Sequence, residues 1–240
     1  MMETNPNPAH SNHPCFNAAA RIRYGRIHLP VAAGCNIQCN FCNRKYDCAN
    51  ENRPGVTSSL LTPGQAVDYL ERVLRKRHDI AVVAIAGPGD PFANPEVTLE
   101  TVRQVNERFP QLLICLATNG LRLGFYIEEL ARLRISHVTI TINTVNPEIG
   151  KKIYAWVRDG KVIYRGEEGA MLLLERQLAA VAALKSHGIT VKVNTVVIPG
   201  INDEYVKDVA AKVAELKADI MNAVPFYPVP GSAFADVEAP

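Results

Sequence analysis
The stretch His137-Val138-Thr139-Ile140-Thr141-Ile142-Asn143 decides between two architectures. Val138, Ile140 and Ile142 fall on one face of an extended chain, and Thr139, Thr141 and Asn143 fall on the other. Thr190 to Val197 repeats the pattern, with Ile189, Val191 and Val193 set against Lys192 and Asn194. A parallel strand covered by helices on both faces reads instead as an unbroken apolar run. Ile80 to Ala86 reads that way, but these two strands do not. Their polar faces need a wet interior, which the lumen of an incomplete barrel supplies.

Working outward, strand-like runs occur at Arg26–Ala33, Ile80–Ala86, Leu112–Ala117, His137–Asn143, Thr190–Val197 and Ile220–Val224. Helical periodicity separates them. Thr62, Pro63 and Gln65 open a helix whose apolar residues are Ala66, Leu70, Val73 and Leu74. Asn94 and Pro95 open the next, with Leu99, Val102, Val105 and Phe109 inward. A helix follows over 125–133, another ends near His187 with Gly188 as its stop, and Val206, Val209, Val213 and Leu216 mark the last. Strand and helix alternate six times, which predicts a parallel sheet with right-handed crossovers. The fold class is α/β, a partial (β/α)6 TIM-like barrel, with an open doubly wound sheet as the other closure. Sites in such barrels lie at the C-terminal ends of the strands. The connection 144–167 is unusually long and carries Tyr154, Trp156 and Arg158, as a lid or as packing anchors.

Composition narrows the function. The chain has 240 residues, 48% of them hydrophobic, and a net charge of +2, so it can bury one full core. Charge of both signs is interspersed, which points to neither nucleic acid nor an anionic membrane as partner. No apolar run is long enough to span a bilayer. Met1 to Ser11 is polar, unlike a secretory signal. Six cysteines without an export signal argue for a reducing cytoplasm and for metal ligation.

Three of those cysteines lie within Cys35-Asn36-Ile37-Gln38-Cys39-Asn40-Phe41-Cys42, and Cys48 follows. Disulfides between such near neighbours would be strained, whereas thiolates at this spacing suit a soft metal centre. Iron–sulfur cubanes normally take four cysteines, so three leave one iron open for a substrate. A zinc knuckle is the competing reading. An open cluster is oxygen-labile, which implies an anaerobic or oxygen-protected setting. Cys15 lies on an N-terminal coil arm, residues 1–25, in the run His10-Ser11-Asn12-His13-Pro14-Cys15, which reads either as an arm folded over the barrel mouth or as a frayed terminus with incidental histidines. Cys115 shares the parity of Ala117 and Asn119 and faces the lumen, as a core residue or a ligand.

The Cys-x3-Cys-x2-Cys spacing with Phe41 before its last cysteine resembles the radical S-adenosylmethionine (radical SAM) superfamily. The resemblance implies an enzyme of partial-barrel fold with a 4Fe-4S cluster on Cys35, Cys39 and Cys42. Its open iron would chelate the amino and carboxylate groups of S-adenosylmethionine, and one electron would cleave the C–S bond to give a 5′-deoxyadenosyl radical. It further implies cofactor contacts from Gly87, Gly89 and Asp90 near the methionine amino group, from Asn119, from Thr141 and Asn143 at the ribose, and from Ile198 and Pro199 at the adenine. Glu51 and Arg53 would handle protons or anchor the carboxylate, or form a surface ion pair. Lys192 would offset cluster or carboxylate charge.

Within that superfamily the run Cys39 to Glu51, together with His13-Pro14-Cys15, Arg53-Pro54-Gly55-Val56 and Ala117-Thr118-Asn119-Gly120-Leu121, resembles the NifB family of nitrogenase cofactor biosynthesis proteins. This implies a carbide synthase. It would fuse two 4Fe-4S clusters and insert a carbon from S-adenosylmethionine, giving an eight-iron precursor. Cys15, Cys48 and a histidine of the arm, His13 or His10, would hold one auxiliary 4Fe-4S cluster, and Cys115 would contribute to the second. Iron–sulfur cluster donors, an electron donor and downstream nitrogenase cofactor carriers would be the partners. The alternatives are another radical SAM enzyme with auxiliary clusters, or a non-enzymatic iron–sulfur scaffold. The organisation expected is an arm over 1–25 carrying auxiliary ligands, a radical SAM core over 26–226 and a tail over 227–240. The family's Cys-x-x-Cys after the sixth strand is not among these residues, and the tail therefore reads as truncated.

Overall fold
The computed structural model describes residues 13–51 and 59–239. The elements in order are α1 (Ala18–Arg23), β1 (Gly25–His28), β2 (Ile37–Cys39), α2 (Pro63–Leu74), β3 (Ile80–Ile85), α3 (Pro95–Arg108), β4 (Leu113–Thr118) and α4 (Ile127–Arg132). Then come β5 (His137–Thr141), α5 (Pro147–Ile153), β6 (Tyr154–Asp159), β7 (Val162–Tyr164), α6 (Gly166–Ser186), β8 (Thr190–Val197), α7 (Val206–Glu215) and β9 (Ile220–Pro225). Six strands form one sheet in the order β1-β3-β4-β5-β8-β9. Every neighbouring pair in it is parallel.

Which face the helices cover settles the architecture. Val83, Ile85, Ile114, Leu116, Val138, Ile140, Val191 and Val193 share one core with residues of α2, α3, α4, α6 and α7. Strand residues of the opposite parity, including Ala84, Cys115 and Thr139, are absent from that core. A doubly wound sheet would place helices against both parities. Here the helices lie on one side and the other parity lines a lumen, so the partial barrel holds. The lumen is closed enough that Thr139 and Thr141 are buried.

The capping box expected at Thr62 is present. Gln65 N–H donates to Thr62 Oγ1 at 3.4 Å and Thr62 N–H to Gln65 Oε1 at 3.0 Å. Asn94, expected to cap α3, makes no side-chain cap hydrogen bond. The first strand is shorter than expected because Pro30 has no N–H to continue the ladder. The helix expected over 125–133 begins as a 3-10 turn, Leu123–Tyr126, before α4.

Two larger differences bear on the site. The connection 144–167 is a helix and a hairpin, α5 and β6-β7, and β6 pairs antiparallel with β2, the strand that carries the cysteine motif. Tyr154 is a buried packing anchor there. The described part of the arm, from His13 onward, is not all coil, since it holds α1, and it leads into Gly25 at the N-terminal end of β1, away from the mouth. It closes the lumen floor. The His13 ring packs on His137, the first residue of β5, with centroids 4.2 Å apart, and on Phe16 at 4.7 Å.

Candidate active site
The cysteine motif is held as a strand. Ile37, Gln38 and Cys39 pair with Val157, Trp156 and Tyr154 of β6. Arg158 N–H donates to Asn36 O, and Asn40 N–H donates to Ile153 O, both at 2.8 Å. Phe41 is fully buried in a second apolar cluster with Ile37, Cys39, Tyr154, Val157, Ile198 and Phe226. The loop is therefore fixed on both sides before any ligand arrives.

Cys35, Cys39, Cys42 and Cys48 line one cavity of about 240 Å³. Gly89, Asp90, Asn119 and Thr141, all past or at the C-terminal ends of β3, β4 and β5, line the same cavity. The wall beside Cys35 is built tightly. Gly89 N–H donates to Ala32 O and Asp90 N–H to Gly34 O, each at 2.6 Å. A Cβ at residue 89 would sit 1.9 Å from Gly34 O, so only glycine permits this approach. Asp90 is buried and accepts from Phe92 N–H at 2.8 Å, Thr118 Oγ1 at 2.8 Å and Asn119 N–H at 2.6 Å. Burial holds its carboxyl above the usual range, against the pull of those three donors. Gln177 of α6 bridges from behind, its Nε2 donating to Asn119 O at 2.7 Å and Thr141 O at 2.8 Å.

Burial also pushes up the thiols. Cys35 rises from 9.0 to about 11, mainly by desolvation and then by the nearby Asp90 charge, while Arg44 pulls the other way. Cys39 is raised well above its ordinary value by burial and by Cys42, Cys35 and Cys48 around it. Cys42 is raised by burial, opposed by Arg44. Without a metal these are neutral thiols crowded together, and a cationic centre would reverse the preference. Among the described residues no three His, Cys, Asp or Glu side chains are grouped so as to hold a single metal ion. Thiols spread around one cavity suit a larger, multi-iron group. The side chains of Asn36 and Asn50 are buried beside the cysteines, and Asn36 Nδ2 and Asn50 Oδ1 have no hydrogen-bond partner among the described residues. Of the two, Asn50 lines the cavity, where an unsatisfied buried polar atom is what a polar ligand would complete.

The remaining expected residues are dispersed. Gly87 precedes the cavity-lining turn and has φ 155°. The Asn143 amide is occupied by structure, donating to the Tyr154 hydroxyl at 3.3 Å and accepting from Val196 N–H at 2.9 Å. Ile198 is fully buried in the second apolar cluster and Pro199 is half-buried, neither lining the triad cavity. Lys192 lies near the floor, 6.0 Å from the Phe16 ring, and lines a separate cavity with Cys15, Arg26 and Asn194. There Arg26 Nη1 approaches Cys15 Sγ at 2.8 Å. Cys115 is buried on the lumen side with Val82 and Ala84. His13 is fully buried at the floor, where its Nδ1 accepts from Cys15 N–H at 3.2 Å. His10, Arg53 and the Glu51 side chain lie outside the described residues. Asn36, Arg44, Asn50 and Gln177 were not anticipated. Only Gln177 left a signal, as a polar residue on the inward face of an apolar helix.

The sequence profile of the Radical SAM superfamily matches residues 29–213, from the end of β1 into α7. The chain belongs to the radical SAM superfamily. Membership implies an enzyme with a 4Fe-4S cluster and S-adenosylmethionine. The chain is 58% identical over 229 residues to the FeMo cofactor biosynthesis protein NifB of Chlorobaculum tepidum, covering 95% of this chain and 54% of that protein. It is 50% identical over 220 residues to NifB of Frankia alni, covering 92% of this chain and 43% of that protein. It thus spans about half the length of these curated relatives. Among solved structures, Streptococcus suis SuiB bound to S-adenosylmethionine matches with a TM-score of 0.58 at 15% identity, over 87% of this chain and 40% of that one. That likeness is one of fold. No helix among the described residues is long and apolar enough to cross a membrane.

Proposed function
We propose that this chain is the radical SAM portion of a nitrogenase cofactor biosynthesis enzyme, a carbide synthase. It would fuse two 4Fe-4S clusters around a carbon taken from S-adenosylmethionine, yielding an eight-iron precursor. The observation that carries the reading is the single cavity lined both by Cys35, Cys39, Cys42 and Cys48 and by Gly89, Asp90, Asn119 and Thr141. When bound, the triad's cluster supplies one-electron cleavage of S-adenosylmethionine.

The chain's own residues supply the rest. The Gly89-Asp90 turn brings backbone against the cavity, and Thr141 and Asn119 offer polar contacts at the strand ends. Asn36 Nδ2 and Asn50 Oδ1 are a donor and an acceptor awaiting partners. Of the thiols that would hold the substrate clusters, Cys48 lines the triad's cavity and Cys15 lies further down the lumen. Asn194 links the two regions, because it donates to Asn50 O beside Cys48 at 3.2 Å and also lines the lower cavity with Cys15. Cys15 and Cys48, with His13 or His10, serve one substrate cluster in this reading, and Cys115 serves the other. Glu51, Arg53 and Lys192 act on protons and charge. Cluster donors, a reductant and downstream cofactor carriers are its partners, in an oxygen-protected cytoplasm.

The test is anaerobic incubation with iron, sulfide, reductant and S-adenosylmethionine. It is run on this chain and on a form extended to the length of its relatives. Formation of 5′-deoxyadenosine together with activation of cofactor-deficient nitrogenase by the extended form is the expected result. Deoxyadenosine without activation assigns a different radical SAM enzyme, and no deoxyadenosine assigns a scaffold.

A further inference from the structure
We propose that Arg44 and Gln38 form a clamp that positions all three cysteines of the motif, and that Trp156 holds the clamp in place. The proposal rests on the reading that Cys35, Cys39 and Cys42 bind a cluster. Arg44 donates from Nη1 to Cys35 O at 3.3 Å, from Nη2 to Ile37 O at 2.5 Å and from Nε to Gln38 Oε1 at 3.2 Å. Gln38 Nε2 then donates to Cys39 O and to Cys42 O, both at 3.0 Å. Two side chains in series therefore reach the backbone carbonyl of every cysteine in the motif. Residue 44 is tied back across the loop to residues 35–38, so the three thiols lie within a ring closed by hydrogen bonds.

The hairpin fixes this ring to the barrel. Trp156 pairs with Gln38 across β2 and β6. The Arg44 guanidinium carbon lies 5.5 Å from the Trp156 ring centroid, and that of Arg158 lies 5.4 Å from it. The planar fork of arginine can serve three acceptors and an aromatic face together, and a lysine ammonium cannot hold that geometry. A loop ordered in advance loses less entropy when it binds, so the clamp lowers the cost of seating the cluster and slows its loss.

The experiment compares wild type with Arg44→Lys, Gln38→Met, Trp156→Leu and Trp156→Phe, all reconstituted anaerobically. Two quantities are read. One is the rate at which a ferrous chelator strips the cluster whose electron paramagnetic resonance changes on adding S-adenosylmethionine. The other is that signal's line shape. Arg44→Lys keeps the charge and loses the fork. We expect it to shed iron about tenfold faster with an altered line shape, as befits the loss of charge-assisted hydrogen bonds. Trp156→Leu moves in the same direction and Trp156→Phe restores wild-type behaviour. Gln38→Met, which cuts the links to Cys39, Cys42 and Arg44 Nε but leaves the Arg44 bonds to Cys35 O and Ile37 O, carries the same test should Arg44→Lys not fold. Wild-type iron loss in Arg44→Lys or Gln38→Met overturns the clamp, and equal rates in the two Trp156 variants overturn the aromatic platform. Iron content that does not change when Cys35, Cys39 and Cys42 are replaced by Ala overturns the cluster reading itself.

Discussion
Replacing Gly89 by Ala tests whether the close approach of two loops builds the cavity wall. The added Cβ would stand 1.9 Å from Gly34 O, 2.5 Å from Gly34 C and 3.0 Å from Ala32 O. All three are backbone atoms, so no side-chain rotation relieves the contact. Reaching an ordinary separation from Gly34 O requires the loops to part by more than about 1 Å. That stretches the 2.6 Å bonds from Gly89 N–H to Ala32 O and from Asp90 N–H to Gly34 O beyond hydrogen-bonding range. Two buried backbone pairs left unmet cost about 4 kcal/mol together. Asp90 moves with them, and with it the carboxylate that ties Thr118 and Asn119 to the turn. Urea unfolding of the cluster-free protein, followed by far-ultraviolet circular dichroism, measures the loss. S-adenosylmethionine affinity of the reconstituted protein measures the damage to the wall. Gly64→Ala is the control, since nothing lies within 4 Å of a Cβ there and α2 tolerates it. A Gly89→Ala stability within about 0.5 kcal/mol of wild type, with unchanged affinity, would refute the reasoning.

Further outcomes follow from the same geometry. The buried thiols hold their protons in the folded chain above the ordinary 9.0, to about 11 for Cys35, while an unfolded chain releases them earlier. Stability of the cluster-free protein is therefore full below pH 9 and falls as pH rises toward 11. The slope is at most about 1.4 kcal/mol per pH unit per thiol. Denaturation curves across that range check it, and a curve no flatter in Cys35→Ala than in wild type counts against it. Asn202 donates to Asn143 O at 2.7 Å and Val196 O at 2.8 Å and accepts from Ile198 N–H at 2.7 Å. Asn202→Ala should cost about 3 kcal/mol, read as a lower urea midpoint. Thr62→Ala removes one half of the capping box and should cost about 1 kcal/mol, with cofactor cleavage unchanged. Cys39→Ala should reduce 5′-deoxyadenosine formation to background while the circular dichroism spectrum stays native.

The features legible in the chain alone are local or periodic. The alternation at 137–143, the apolar stripes of the helices and the Thr62-Pro63-Gln65 start are set by neighbours a few residues apart. Each therefore reads directly from the chain. The six-strand order and the cysteine triad follow from the same kind of information, joined to the rule that parallel crossovers are right-handed. The tertiary structure decided whatever depends on partners distant in sequence. Tyr154 to Asp159 reads as a loop until β2 is there to pair with it, and Arg44 reads as a surface charge until Trp156 and the carbonyls of Cys35 and Ile37 surround it. Lys192 and Asn143 share the parity of cavity residues, yet the height of one in the lumen and the hydrogen bonds of the other remove both from the triad's cavity. The described part of the arm, from His13 onward, is placed at the foot of the lumen by its contact with His137. Period and spacing assign a residue to a face, but only the packed chain sets its depth along that face and the groups that meet it there.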